Sequence, residues 1–158
     1  MCPVLPATPE NAPESVERLA MTLHRLDEAH RRYRVHSARV VGLAPMEVSA
    51  LLAVGDTPGI TPTALARDLV ITSGSTTAVI DRLEKAGHVV RTKHPDDRRS
   101  LHLHLTAAGT DAMTNLREAY RYVLSTTGTD ETILSAIPQL HEITEALNAA
   151  VNESPDGA

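Results

Sequence analysis

The stretch from His94 to Thr106, HPDDRRSLHLHLT, places two carboxylates, two guanidiniums and a leucine–histidine alternation within thirteen positions. Three chemistries fit those residue types. His102 and His104, two apart on an extended segment, would share one strand face and could grip a metal ion. Asp96 and Asp97 beside Arg98 and Arg99 could close a salt-bridged turn. The same arginines, lifted on a hairpin, could reach for phosphate.

The elements around this stretch narrow the choice. Leu101, Leu103 and Leu105 alternate with Ser100, His102 and His104, the period of a half-buried strand. With Val89 and Val90 starting a second β segment, residues 88–105 read as a hairpin with Lys93 to Arg99 at its turn. Upstream, Thr61 and Pro62 cap and open a short helix, and Thr72 caps another that runs to about Ala86 and closes at Gly87. On a wheel of about 3.6 residues per turn, Thr76, Val79, Ile80 and Leu83 face inward. The outward first turns are all small: Ser73, Gly74, Ser75, Thr77 and Ala78. Such a helix can bring its backbone close to the floor of a DNA major groove, where hydroxyls meet phosphates or base edges and methyls meet thymine.

Further out, Val16, Leu19, Leu23, Leu26, His30 and Tyr33 recur every three or four residues, a narrow stripe suited to packing against another helix. Leu43-Ala-Pro-Met-Glu opens a helix that points Val48, Leu51 and Leu52 inward. Thr106 caps a helix bearing Met113, Leu116, Tyr120, Val123 and Leu124, which Ser125-Thr-Thr-Gly-Thr interrupts. A last helix carries Ile133, Ile137, Leu140, Ile143 or Thr144, and Leu147, with Pro138 expected to bend it or to split off a short helix before it. The expected fold class is mainly α with a small β-hairpin wing: a winged helix-turn-helix with flanking helices. Residues 1–12 and 153–158 read as flexible tails, 13–40 as an N-terminal helix, 43–105 as the winged lobe and 106–152 as C-terminal helices.

Composition constrains the partner. The 158 residues carry a formal charge of −5, which taken alone argues against nucleic acid. Its distribution argues otherwise, because local charge governs contact with phosphate. Residues 57–105 hold 7 Lys/Arg against 5 Asp/Glu, whereas residues 106–158 hold 2 against 8. Arg91, Lys93, Arg98 and Arg99 gather in the middle, and Arg31, Arg32, Arg34 and Arg39 form a run with no acidic residue from Ala29 to Met46. No apolar run is long enough to span a membrane, and the first residues lack the layout of a signal peptide. The single cysteine, Cys2, excludes an intrachain disulfide and fits a reducing, cytoplasmic setting. No paired-carboxylate or nucleophile-elbow pattern stands out, so an enzyme is not expected. The histidines form no compact ligand set with Cys or Glu, and a polar strand face explains His102 and His104 more simply. No metal or other cofactor is expected.

The run from Leu43 to Gly109 resembles the MarR family of bacterial winged-helix regulators, through TPTALARDL, TSGSTTAVIDRLEKAGHV, the turn HPDDRRS and LHLTAAG. The resemblance implies a homodimer joined through its first and last helices, which makes 13–40 and 106–152 dimerisation helices. It also implies binding to palindromic operator DNA, usually as a repressor of a nearby operon released by a small-molecule effector. Thr72 to Ala78 then correspond to the groove-reading end and Arg98 to the wing tip in the minor groove. Arg99, with Asp97, corresponds to the pairing that braces the turn. The candidate DNA contacts are Thr61, Thr63, Thr72, Ser73, Gly74, Ser75, Thr77, Ala78, Arg82, Lys93, Arg98 and Arg99. Ala78 departs from the family, where a long polar or basic residue is common, so base reading shifts toward Ser73, Ser75 and the wing. A zinc-responsive regulator of the same fold and a DNA-free dimeric interaction module are the competing readings. The effector is open: with no Phe or Trp and only Tyr33, Tyr120 and Tyr122, aromatic stacking surface is scarce.

Overall fold

The computed structural model describes residues 13–93 and 101–152. The order of elements is α1 (Glu14–Val40), α2 (Pro45–Asp56), α3 (Pro62–Asp68), α4 (Ser73–Lys85), β1 (Val89–Lys93), β2 (Leu101–Leu105), α5 (Ala107–Ser125) and α6 (Asp130–Asn152). The chain divides into two compact units, residues 1–113 and 114–158, with α5 crossing the boundary.

The first unit is built around α2. Val48, Ala50, Leu51 and Val54 of this helix are all buried, so it is apolar around most of its circumference, as a central helix must be. α1, α3, α4 and β2 pack against it. From α4 come Thr76, Val79, Ile80 and Leu83, the inward face that the wheel places there, and Leu65 of α3 is fully buried.

Local chemistry sets the boundaries. The Thr61 hydroxyl accepts from the Ala64 N–H, with Pro62 in the first turn of α3 where its missing donor costs nothing. The Thr72 hydroxyl accepts from the Ser75 N–H at the start of α4. Thr106 caps α5 through the Gly109 N–H and donates to the Gly87 carbonyl, tying α5 to the end of α4. Helices α1 and α4 stop through glycines in the left-handed region, Gly42 (φ 71°) and Gly87 (φ 78°). The next N–H in each case turns back onto the helix, Leu43 to Ala38 and His88 to Leu83. α3 stops in the same way, Ile71 N–H to Ala66, but the residue at positive φ is Val70 (φ 53°). A β-branched side chain in that region is strained.

β1 and β2 form an antiparallel hairpin in the register Val89↔Leu105, Arg91↔Leu103 and Lys93↔Leu101. Leu103 reaches across to a further partner. Its N–H donates to the Ile60 carbonyl and its carbonyl accepts from the Gly59 N–H, so the segment leading into α3 acts as a short third rung. Leu103 is fully buried and Leu105 half-buried, whereas Leu101 is 40% exposed. The alternation therefore anchors only the base of the hairpin, because the core ends before Leu101.

One of the two alternatives for Pro138 is ruled out, and one expectation for the strand is corrected. Pro138 does not split the last helix: α6 is one helix from Asp130 to Asn152 with the proline inside it. The proline removes one backbone donor and crowds the carbonyl four residues before it, yet the helix continues through it. His102 and His104 do not form a fully solvated face either. Both are half-buried, and both rings lie close to Gly59, where a Cβ would stand 3.3 Å from His102 Nδ1 and 3.6 Å from His104 Cε1. The turn that carries Ile60 to β2 brings Gly59 underneath them.

Candidate nucleic-acid interface

The site is assembled from α3, α4 and the hairpin. α3 packs on α4, and α4 packs on β1, so the start of α4 and the base of the wing belong to one unit. Thr72, Ser73, Gly74, Ser75, Thr77 and Ala78 are all exposed, which leaves the first two turns of α4 open on their outer side. A Cβ on Gly74 would meet nothing within 4 Å.

Hydrogen bonding divides these residues. The Thr72 hydroxyl accepts from the Ser75 N–H and donates to Ser75 Oγ, and the Thr77 hydroxyl donates to the Ser73 carbonyl. Thr72 and Thr77 thus serve the helix itself, and the Ser73 hydroxyl makes no hydrogen bond to any described residue. Thr61 is half-buried and committed to its cap, while Thr63 is exposed in the first turn of α3. Lys93 is exposed at the end of β1. Arg98 and Arg99, with Asp97, lie outside the described residues.

Two arginines make ion pairs that the sequence reading did not foresee. Arg91, counted above in the central basic cluster, is taken up by α4: its guanidinium pairs with Asp81 and Glu84. Its charge is matched where it stands, and the two ion pairs link β1 to α4. Arg82, expected to be a DNA contact, donates from Nε to Glu47 Oε1 of α2 at 2.5 Å while its side chain stays 56% exposed. Glu47 is the residue sequence reasoning missed. The available signal was a glutamate three residues past a helix N-cap, and its other oxygen, Oε2, accepts from the Ala44 N–H at 2.8 Å.

Among the described residues, no three His, Cys, Asp or Glu side chains gather as a metal site. No single helix among these residues is long and apolar enough to cross a membrane.

A helical lobe with an exposed small-residue helix and a two-stranded hairpin beside it defines the winged-helix class. Residues 41–100 match the family model described as MarR family. Over 90 residues it is 33% identical to an uncharacterized HTH-type transcriptional regulator, YcgE, of Bacillus subtilis, covering 56% of this chain and 58% of that protein. Over 78 residues it is 32% identical to a putative transcriptional regulatory protein for the hcr operon of Thauera aromatica, covering 49% and 47%. The chain thus spans about half the length of these relatives. Among solved structures it is similar to the transcriptional repressor CouR bound to a 23-mer DNA duplex, with TM-score 0.65 and 27% identity over 87% of this chain and 99% of that one. It also shares the fold of Streptococcus pneumoniae FabT in complex with DNA, with TM-score 0.67 and 21% identity over 85% and 98%.

Proposed function

We propose that this protein is a sequence-specific DNA-binding transcriptional regulator that acts as a homodimer on a palindromic operator, as a repressor released by a small-molecule effector. The observation that carries the reading is the open outer face of α4, small for two turns and ending at Arg82, beside the hairpin that leads to Arg98. Relatives solved with DNA support it, CouR and FabT among them. The long apolar side chains exposed on α1 and α6 support the dimer: Val16, Leu19 and Leu26 on the first, Leu134, Ile137, Leu140 and Leu147 on the second. In this reading Ser73, Gly74, Ser75 and Ala78 approach the bases. Thr61, Thr63, Thr72, Thr77, Arg82, Lys93 and Arg99 flank them toward the backbone, and Arg98 enters the minor groove.

Selection from a random duplex pool tests the reading and yields the operator together. The expected outcome is enrichment of an inverted repeat whose affinity falls steeply with salt, because neutralised phosphates release counterions. Arg98→Ala should weaken binding and reduce the magnitude of the salt slope by about 1. A pool in which nothing is enriched defeats the reading.

A further inference from the structure

Ser75, Ala78 and Arg82 recur at spacings of three and four, so they share one face of α4. Ser75 is short and Ala78 has no polar atom; Arg82 is therefore the first long polar side chain on the face that the proposed function turns toward DNA. Its guanidinium is not loose. Nε is held by Glu47 Oε1 at 2.5 Å, and among the described residues nothing takes Nη1 or Nη2. Glu47 is itself fixed: it belongs to the central helix, its side chain is 9% exposed, and Oε2 holds the Ala44 N–H. Each carboxylate oxygen thus has one donor, from two different elements.

We propose that Glu47 is a positioning residue for DNA recognition, clamping Arg82 by Nε so that its two Nη groups are presented as a preformed fork to a backbone phosphate. The inference rests on the DNA-binding reading above. Its physical basis is that arginine carries five N–H donors in a rigid plane, so one edge can be anchored while the other binds a phosphate bidentately. Anchoring removes much of the rotamer freedom that a long side chain otherwise loses on binding. A buried glutamate near a DNA-facing surface would ordinarily repel phosphate; here its charge is matched by the arginine it holds. Glutamine cannot replace it in full, since the amide offers one acceptor oxygen and sets an N–H₂ donor against the remaining donor.

The experiment is a double-mutant cycle on the full chain, with the duplex selected by the wild type as probe, Kd measured across a salt series and melting of the free protein followed alongside. Because R82A leaves Glu47 buried without its partner, the cycle includes E47Q/R82A, which removes that charge, and R82K is added as the charge-conserving variant. E47Q should weaken binding about five- to tenfold, within the range seen for coupled neighbours, and leave the salt slope close to wild type. R82A and E47Q/R82A should bind equally poorly, with slopes reduced in magnitude by about 0.9 for the lost phosphate contact. R82K should melt close to wild type yet bind more weakly, as an ammonium cannot keep Glu47 on one edge and phosphate on the other. The proposal is overturned if E47Q lowers affinity by the same factor with and without Arg82, or if the Arg82 variants keep wild-type affinity and slope. A wild-type chain that selects no duplex overturns the DNA-binding reading and this role with it; a wild type that binds, with an additive cycle, removes only the role of Glu47.

Discussion

The winged lobe and the last helix are both rich in leucine and isoleucine, yet they treat those residues in opposite ways. In the lobe, Leu51, Leu65, Ile80, Leu83 and Leu103 are sealed from water. Along α6, Leu134 is 65% exposed and Leu140 47%, and Ile137 and Leu147 are exposed with them. The lobe closes its core from elements of its own chain, because three helices and strand β2 pack around α2. α6 is an amphipathic helix whose apolar stripe remains open on the single chain. In the proposed function a second copy covers that stripe, so the two regions should respond differently to substitution, dilution and salt.

The largest expected effect would break the comparison from the side of α6. Leu140→Glu should convert the dimer to a monomer in light scattering at micromolar concentration. It should lower operator affinity by about 100-fold or more, because two linked half-site contacts become one. A variant that remains a dimer would place the interface elsewhere. Next comes the lobe, where Leu103→Ala should cost about 2–5 kcal/mol as a cavity in a closed core. Chemical denaturation should read that loss as independent of protein concentration, whereas a Leu→Ala change on α6 should cost an amount that changes with concentration, as association equilibria require. A smaller effect is expected at Gly109, in the first turn of α5. An added Cβ would stand 2.0 Å from the His88 carbonyl oxygen, a backbone atom that cannot swing away. Gly109→Ala should therefore cost about 1–3 kcal/mol in thermal or denaturant melts, the range for overpacking.

The smallest effect sharpens the comparison within the lobe. The helix stops at Gly42 and Gly87 use the residue suited to positive φ, whereas Val70 makes the same stop with a β-branched side chain that is 89% exposed. Val70→Asn keeps a side chain there and tolerates the left-handed region better. It should raise stability by about 1 kcal/mol, the lower end of the range for relieved backbone strain. An unchanged or lowered melting temperature would show that the turn relaxes around valine at no cost.

What the sequence determined by itself is what depends on residues within about one helical turn of each other. Thr61, Thr72 and Thr106 cap the helices they precede, Gly87 ends α4, and the inward face of that helix is Thr76, Val79, Ile80 and Leu83. Each of these follows from a side chain meeting a nearby backbone group, or from the period of the helix. For the same reason the exposure of Ser73, Gly74, Ser75, Thr77 and Ala78 was legible, and with it the reading end of the candidate site.

Only the tertiary structure decided which charges are engaged and where the strand pattern ends. Arg91 and Arg82 look alike in the sequence, two cations among several. Packing α4 against β1 gives the first to Asp81 and Glu84; packing α2 against α4 gives the second to Glu47, thirty-five positions away. The leucine alternation of β2 is regular through Leu101, but the core behind it stops at Leu103, where Ile60 supplies the extra rung, and Gly59 rises beneath the two histidines. Such pairings depend on the angle and depth at which elements meet, and those are settled by the whole set of packed side chains at once.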